Sequence, residues 1–127
     1  MPELGVLPSV RIVADSSGVS HFEDYEIKFQ SADFAPPAPP MQVSEFDEAT
    51  RYGFVTAPAG WYGHWHPAPR RQVAILLKGE LEVAVASGEV RRFGPGSTVL
   101  LEDISGKGHT SRVVGSADVV LVFVQLE

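Results

Sequence analysis

The stretch HWHPAPRRQVAILLKGELEV, residues 64–83, sets two histidines one residue apart ahead of a proline-rich bend and an apolar run. Successive side chains of a strand point to opposite faces, so His64 and His66 are expected on one face, with Trp65 on the other. Two imidazoles about 7 Å apart along one face can converge on a metal ion. Alone, such a pair is a weak signal, because many paired histidines are ordinary surface or core residues. The chain has two further histidines, His21 and His109.

The elements that must position these residues have the period of strands. In HFEDYEIKF, residues 21–29, Tyr25, Ile27 and Phe29 alternate with Asp24, Glu26 and Lys28, giving one apolar and one charged face. The runs VAILL (73–77), STVLLE (97–102) and DVVLVFVQL (118–126) are continuously apolar, the pattern of strands buried on both faces. Turn signals recur at Lys78-Gly79, Ser87-Gly88, Gly94-Pro95-Gly96 and Gly106-Lys107-Gly108. No amphipathic helix longer than two turns is evident. Many short strands at about ten-residue spacing indicate an all-β sandwich or barrel. FAPPAPPM, residues 34–41, holds four prolines, which would remove four ladder donors from a sheet. It reads as an extended polyproline arm bracing the barrel or a dimer partner.

A chain of 127 residues suits one domain with a real core. It contains no cysteine, which excludes disulfides, thiol nucleophiles and iron–sulfur clusters. The first twenty residues carry one arginine and no sustained apolar core, unlike a signal peptide, and no stretch is long enough to span a bilayer. A soluble, cytoplasmic protein with no membrane partner is expected. Residues 1–50 hold nine acids against Arg11 and Lys28, −7, while residues 51–127 hold seven acids against eight bases, +1. A nucleic-acid partner needs a basic face and is not expected.

On its motifs the chain resembles the cupins, small jelly-roll β-barrels with a ligand site inside the barrel. Gly60, His64, His66, Gln72 and Gly79 fall in the roles of the first cupin motif. Gly96, Glu102, Gly106, His109 and Val113 fall in those of the second. Sixteen residues separate Gly79 from Gly96, as in compact single-domain bacterial cupins. The resemblance covers about residues 41–126. It implies an all-β cupin jelly-roll barrel over residues 41–127, with residues 1–40 adding N-terminal strands and the proline arm. Gln72 stands where the motif has a metal-binding glutamate, Glu102 replaces its proline, and Val113 replaces its asparagine.

The resemblance further implies a divalent Fe, Mn, Ni, Cu or Zn ion held by His64, His66 and His109, with Gln72 as a fourth ligand or as a partner of a bound water. An amide in place of the carboxylate removes the only negative ligand, leaving the ion a stronger Lewis acid. Three neutral histidines with open positions is the set that certain cupin dioxygenases use with Fe(II). Dioxygenase-like chemistry on a small organic molecule is therefore the leading expectation, with isomerase or lyase chemistry next. The alternative is a non-catalytic small-molecule-binding barrel with a degenerate metal site. A purely structural oligomerisation partner is a third reading.

Around that centre, Arg71 is a candidate substrate clamp and Glu102 a candidate base. Glu102 and Asp103 are both weighed as residues that orient a histidine or act as base; adjacent strand residues face opposite ways, so at most one of them enters the barrel, and a surface role for both is the favoured reading. Trp61, Tyr62 and Trp65 are expected at the barrel mouth, as a stacking wall or as dimer contacts. Ser111, two residues after His109, is expected on the same inward face. His21 is given no role. A homodimer through the N-terminal strands and proline arm is expected.

Overall fold

Each apolar run picked out in the sequence forms a strand in the computed structural model, which describes residues 5–126. Residues 1–4 and 127, included in the two segment expectations above, lie outside the described residues. The strands are β1 (Val6–Ala14), β2 (Ser20–Lys28), β3 (Gln30–Ala32), β4 (Met41–Val43), β5 (Arg51–Ala57), β6 (Tyr62–His66), β7 (Gln72–Lys78), β8 (Glu80–Val85), β9 (Val90–Phe93), β10 (Thr98–Leu101), β11 (His109–Val114) and β12 (Val119–Gln125). Among the described residues there is no helix, and so none long and apolar enough to cross a membrane.

The last eight strands pair as nested antiparallel partners: β5 with β12, β6 with β11, β7 with β10, and β8 with β9. Rolling such a nested hairpin gives two facing sheets, which is the jelly roll. One sheet runs β6-β11-β8-β9; the other runs β10-β7-β12-β5 and is extended to six strands by β1 and β2. β1 lies parallel to β10, and β2 pairs antiparallel along the free side of β1. The N-terminal strands are thus an extension of one barrel sheet. β3 and β4, on either side of the proline segment, pair only with each other.

The core fills the space between the sheets. Ala74 and Leu76 of β7, Val99 and Leu101 of β10, Val119 and Leu121 of β12, Val83 and Val85 of β8, and Ile12 of β1 are all buried there. Their neighbours in sequence point to the outside, where the two sheets differ in chemistry. On the four-stranded sheet, Glu82 bonds to both Arg92 and Arg112. Those guanidinium bonds, from Arg112 first and then Arg92, hold the Glu82 carboxyl below the ordinary carboxylate range. On the larger sheet many outward positions of β5, β12, β7 and β10 are apolar. Tyr52, Val124, Val73 and Leu100 lie in one row across β5, β12, β7 and β10, and Phe54, Val122 and Ile75 lie in the next. Burial on both faces, expected for these continuous runs, is therefore met within one chain only on the inner face; Val73, Ile75, Leu100, Val122 and Val124 are half-buried.

Candidate functional site in the barrel

Between the sheets lies a cavity of about 700 Å³. Most of its wall is the apolar inner face, including Ala74, Leu76, Val99, Leu101, Leu121 and Phe123. Thr56 and Ser97 line it too, but a polar cluster gathers at one place: His66, His109, Ser111, Gln72, Gln125 and Arg51, whose Nε donates to Gln125 Oε1. Trp61, Val55 and His66 line the cavity yet remain solvent-exposed, and so mark its mouth.

How β6 meets β11 decides which histidines enter. Ser111 pairs with Gly63, but His109 pairs with His66. Three steps along β6 thus match two along β11, so β6 carries a bulge with one extra residue. A bulge resets the alternation of a strand. His66 turns inward beside His109, their ring centroids 4.9 Å apart. His64 does not line the cavity and instead meets Tyr62 edge-on, with centroids at 4.8 Å and planes at 90°. The shared face expected for His64 and His66 is overturned by that extra residue.

Both inward imidazoles are oriented from behind. His66 Nδ1 donates to the His64 carbonyl at 2.6 Å; a carbonyl only accepts, so this nitrogen carries the proton. His109 Nδ1 lies 2.6 Å from Asp103 Oδ2, and His109 is 7% exposed while Asp103 is fully buried. With both Nδ1 atoms engaged, the Nε2 atoms are left to accept a proton, a hydrogen bond or a metal. Asp103 Oδ1 is buried without a hydrogen-bond partner. Asp103, for which the sequence favoured a surface role over the orienting of a histidine, is fully buried and stands behind His109. Its chain leaves β10 after Leu101, so strand alternation no longer governs where it points.

The loop that carries Asp103 to His109 is held by close backbone packing. Gly108 has φ +77°, and a Cβ there would collide with the His66 carbonyl. Only glycine allows β11 to begin this close to the end of β6. The Ser20 hydroxyl donates to the Gly108 carbonyl at 2.6 Å and accepts from Ala86 N at 2.8 Å.

Gln72 is inward and 5% exposed, and Gln125 Nε2 donates to its Oε1 at 3.1 Å. Gln125 is a cavity residue that the sequence reading did not single out; it sits on the inward phase of β12, which was read only as an apolar run. Trp61 lies across Gly63, where a Cβ would come within 2.5 Å of its ring. Arg71 and Glu102 do not line the cavity. They are joined at 2.7 Å on the outside of the larger sheet, because Gln72 and Leu101 take the inward positions next to them. Tyr62 is also outside, and Trp65 lies under the Lys107 ammonium at 3.9 Å.

Nested strand pairing thus closes a roll around an internal cavity, with the histidines of the two motif strands β6 and β11 at its mouth. The chain has the cupin fold. No protein-family model and no curated protein matches it. Among solved structures, the cupin domain of Schizosaccharomyces pombe Cnp3 is 15% identical over 96% of this chain and 84% of that one, with a TM-score of 0.49. The conserved protein SPY1581 of Streptococcus pyogenes, of unknown function, is 23% identical over 68% and 71%, at 0.45. The epimerase RmlC of Legionella pneumophila is 10% identical over 93% and 72%, at 0.38. The fold assignment rests on the strand order.

This cupin barrel does not gather the three-histidine centre that its motifs imply. Among the described residues no group of three or more His, Cys, Asp or Glu side chains is placed to hold a metal ion. What it brings together instead is two imidazoles, one of them backed by a carboxylate, and a pair of side-chain amides, one of which accepts from the Arg51 guanidinium.

Proposed function

We propose that this cupin barrel is a small-molecule-binding module whose ligand is compact and mainly apolar, with one polar head. The observation that carries this reading is the segregation of the cavity wall. Leu76, Val99, Leu101, Leu121 and Phe123 surround the body of a ligand, while His66, His109, Gln72, Gln125, Ser111 and the Arg51 guanidinium bonded to Gln125 meet its head. Apolar pockets of this size with a few convergent polar groups are the usual form of a small-molecule site. The imidazole Nε2 atoms accept hydrogen bonds from a hydroxyl or enol head, and the amides offer both donors and acceptors. The same Nε2 of His109, backed by Asp103, is suited to take a proton from an acidic carbon or hydroxyl of that head, which keeps isomerase or lyase chemistry within this reading.

The second reading, a divalent transition metal serving dioxygenase-like chemistry, is supported by the Nδ1 engagement of His66 and His109, which frees both Nε2 atoms. Gln72 is the remaining donor, and His64 would stand outside the set. One experiment separates the two. Thermal shifts are measured with acetylacetone, catechol and indole as probes, with and without chelator, on the wild type and on Ser111→Trp, which fills the cavity. Elemental analysis is run on the wild type and His66→Ala. A probe at about 100 times its Kd should raise stability by about 2.7 kcal/mol, with or without chelator, and the shift should vanish in Ser111→Trp. A shift that survives the filled cavity, or no shift with any probe, sinks the binding reading. Near-stoichiometric metal in the wild type, lost in His66→Ala, replaces it with the second.

A further inference from the structure

We infer that the polar head of the cavity's ligand is a carboxylate, held by Arg51, Gln125 and Gln72, an assignment that rests on the small-molecule reading above. Strand register builds this row where β5 and β7 begin and β12 ends. Gln125 of β12 pairs with Arg51 of β5 on one side and with Gln72 of β7 on the other. Residues directly opposite in neighbouring strands share a face, and all three line the cavity.

The hydrogen bonds of the row run in one direction. Arg51 Nε donates to Gln125 Oε1, and Gln125 Nε2 donates to Gln72 Oε1. Each amide oxygen thus takes an N–H from its neighbour. What the row offers a ligand is mainly donors: both amino groups of the guanidinium, the second N–H of Gln125 and the amide N–H groups of Gln72. A guanidinium stays protonated in proteins, so the strip of donors is also cationic.

The chain supplies no counter-charge to it. Arg11, Arg71, Arg91, Arg92 and Arg112 each bond an acid. Among the described residues, Arg51 is in no ion pair, and no Asp or Glu lines the cavity. A charge set against a largely apolar wall attracts a counter-ion more strongly than it would in water. A carboxylate matches the guanidinium fork with two parallel N–H···O bonds. A lone hydroxyl or ketone would leave most of these donors unmet.

There is room for the head beside Arg51. Gly53 is next on the inward phase of β5, opposite Phe123, and a Cβ there would meet no heavy atom within 4 Å. His66 and His109, whose Nε2 atoms accept, belong to β6 and β11 of the other sheet, and their lone pairs would repel an anion set against them. The carboxylate therefore lies on the β5–β12–β7 side. The clamp expected at Arg71 falls to Arg51.

Calorimetric titration at neutral pH with phenylacetate, phenylacetamide and indole tests this on the wild type, Arg51→Gln and Arg51→Lys. Arg51 is exposed at the start of its strand, so the variants should keep the wild-type far-UV circular dichroism. Phenylacetate should bind the wild type about tenfold more tightly than its uncharged amide. Arg51→Gln should abolish that preference, and Arg51→Lys, which keeps the charge without the fork, should restore part of it. Equal affinity for acid and amide in the wild type overturns the carboxylate head and leaves the small-molecule reading standing, provided that indole binds. No binding by any of the three probes overturns both. A preference for the acid that persists undiminished in Arg51→Gln overturns the assignment to this row.

Discussion

Gly108→Ala should lower the melting temperature by roughly 10 °C, corresponding to about 3 kcal/mol in a domain of this size. Two costs combine. A left-handed alanine costs about 1–2 kcal/mol, and Gly108 sits at φ +77°. Its Cβ would also meet the His66 carbonyl, which is backbone and cannot rotate away; overpacking of this kind costs about 1–3 kcal/mol. The loop is pinned on its other side by Ser20, so it has little room to withdraw. Relief must come from separating β11 from the end of β6, which is also what draws His109 away from His66. Differential scanning calorimetry gives the first effect, and loss of the probe-induced shift gives the second. A Gly108→Ala protein that melts like the wild type would show that the two backbones do not meet as described.

Asp103→Ala should cost about 2–4 kcal/mol. It leaves the buried Nδ1–H of His109 without its acceptor, worth about 1–3 kcal/mol, and removes packing from a fully buried position. Asp103→Asn should retain most of the stability, because the amide oxygen still accepts that hydrogen bond while the charge is removed. The histidine ring nitrogens report the difference by NMR. The wild type and Asp103→Asn should show His109 with the proton on Nδ1; Asp103→Ala should show it moved toward Nε2, the common solvent tautomer. An unchanged His109 spectrum in Asp103→Ala would mean that Asp103 does not orient the ring.

Several features of this chain were legible without coordinates. Period-two alternation in residues 21–29 and the apolar runs at 73–77, 97–102 and 118–126 became β2, β7, β10 and β12, because side-chain alternation depends only on local backbone geometry. Inward Ser111 followed from the same local rule; Gln72 was marked out by the motif resemblance, and Trp61 was expected only at the barrel mouth. The rule failed at His64, where one extra residue in β6 against β11 reversed the face; a bulge is set by the pairing of two strands distant in sequence. It failed again at Asp103, just beyond the last residue of β10. It could not distinguish Arg71 and Glu102 as outward partners, since their ion pair joins β7 and β10 across the sheet.

The sequence by itself determined the class of fold and the strands that build it, since polar and apolar periodicity, glycine turns and proline exclusions act within a few residues. Only the tertiary structure decided which side chains share the cavity. That choice depends on long-range register, which joins His109 to His66 rather than to His64, and on a loop closing against β6 at Gly108. It also decided what the apolar runs are apolar for: one face fills the barrel, and the other lies on its outside.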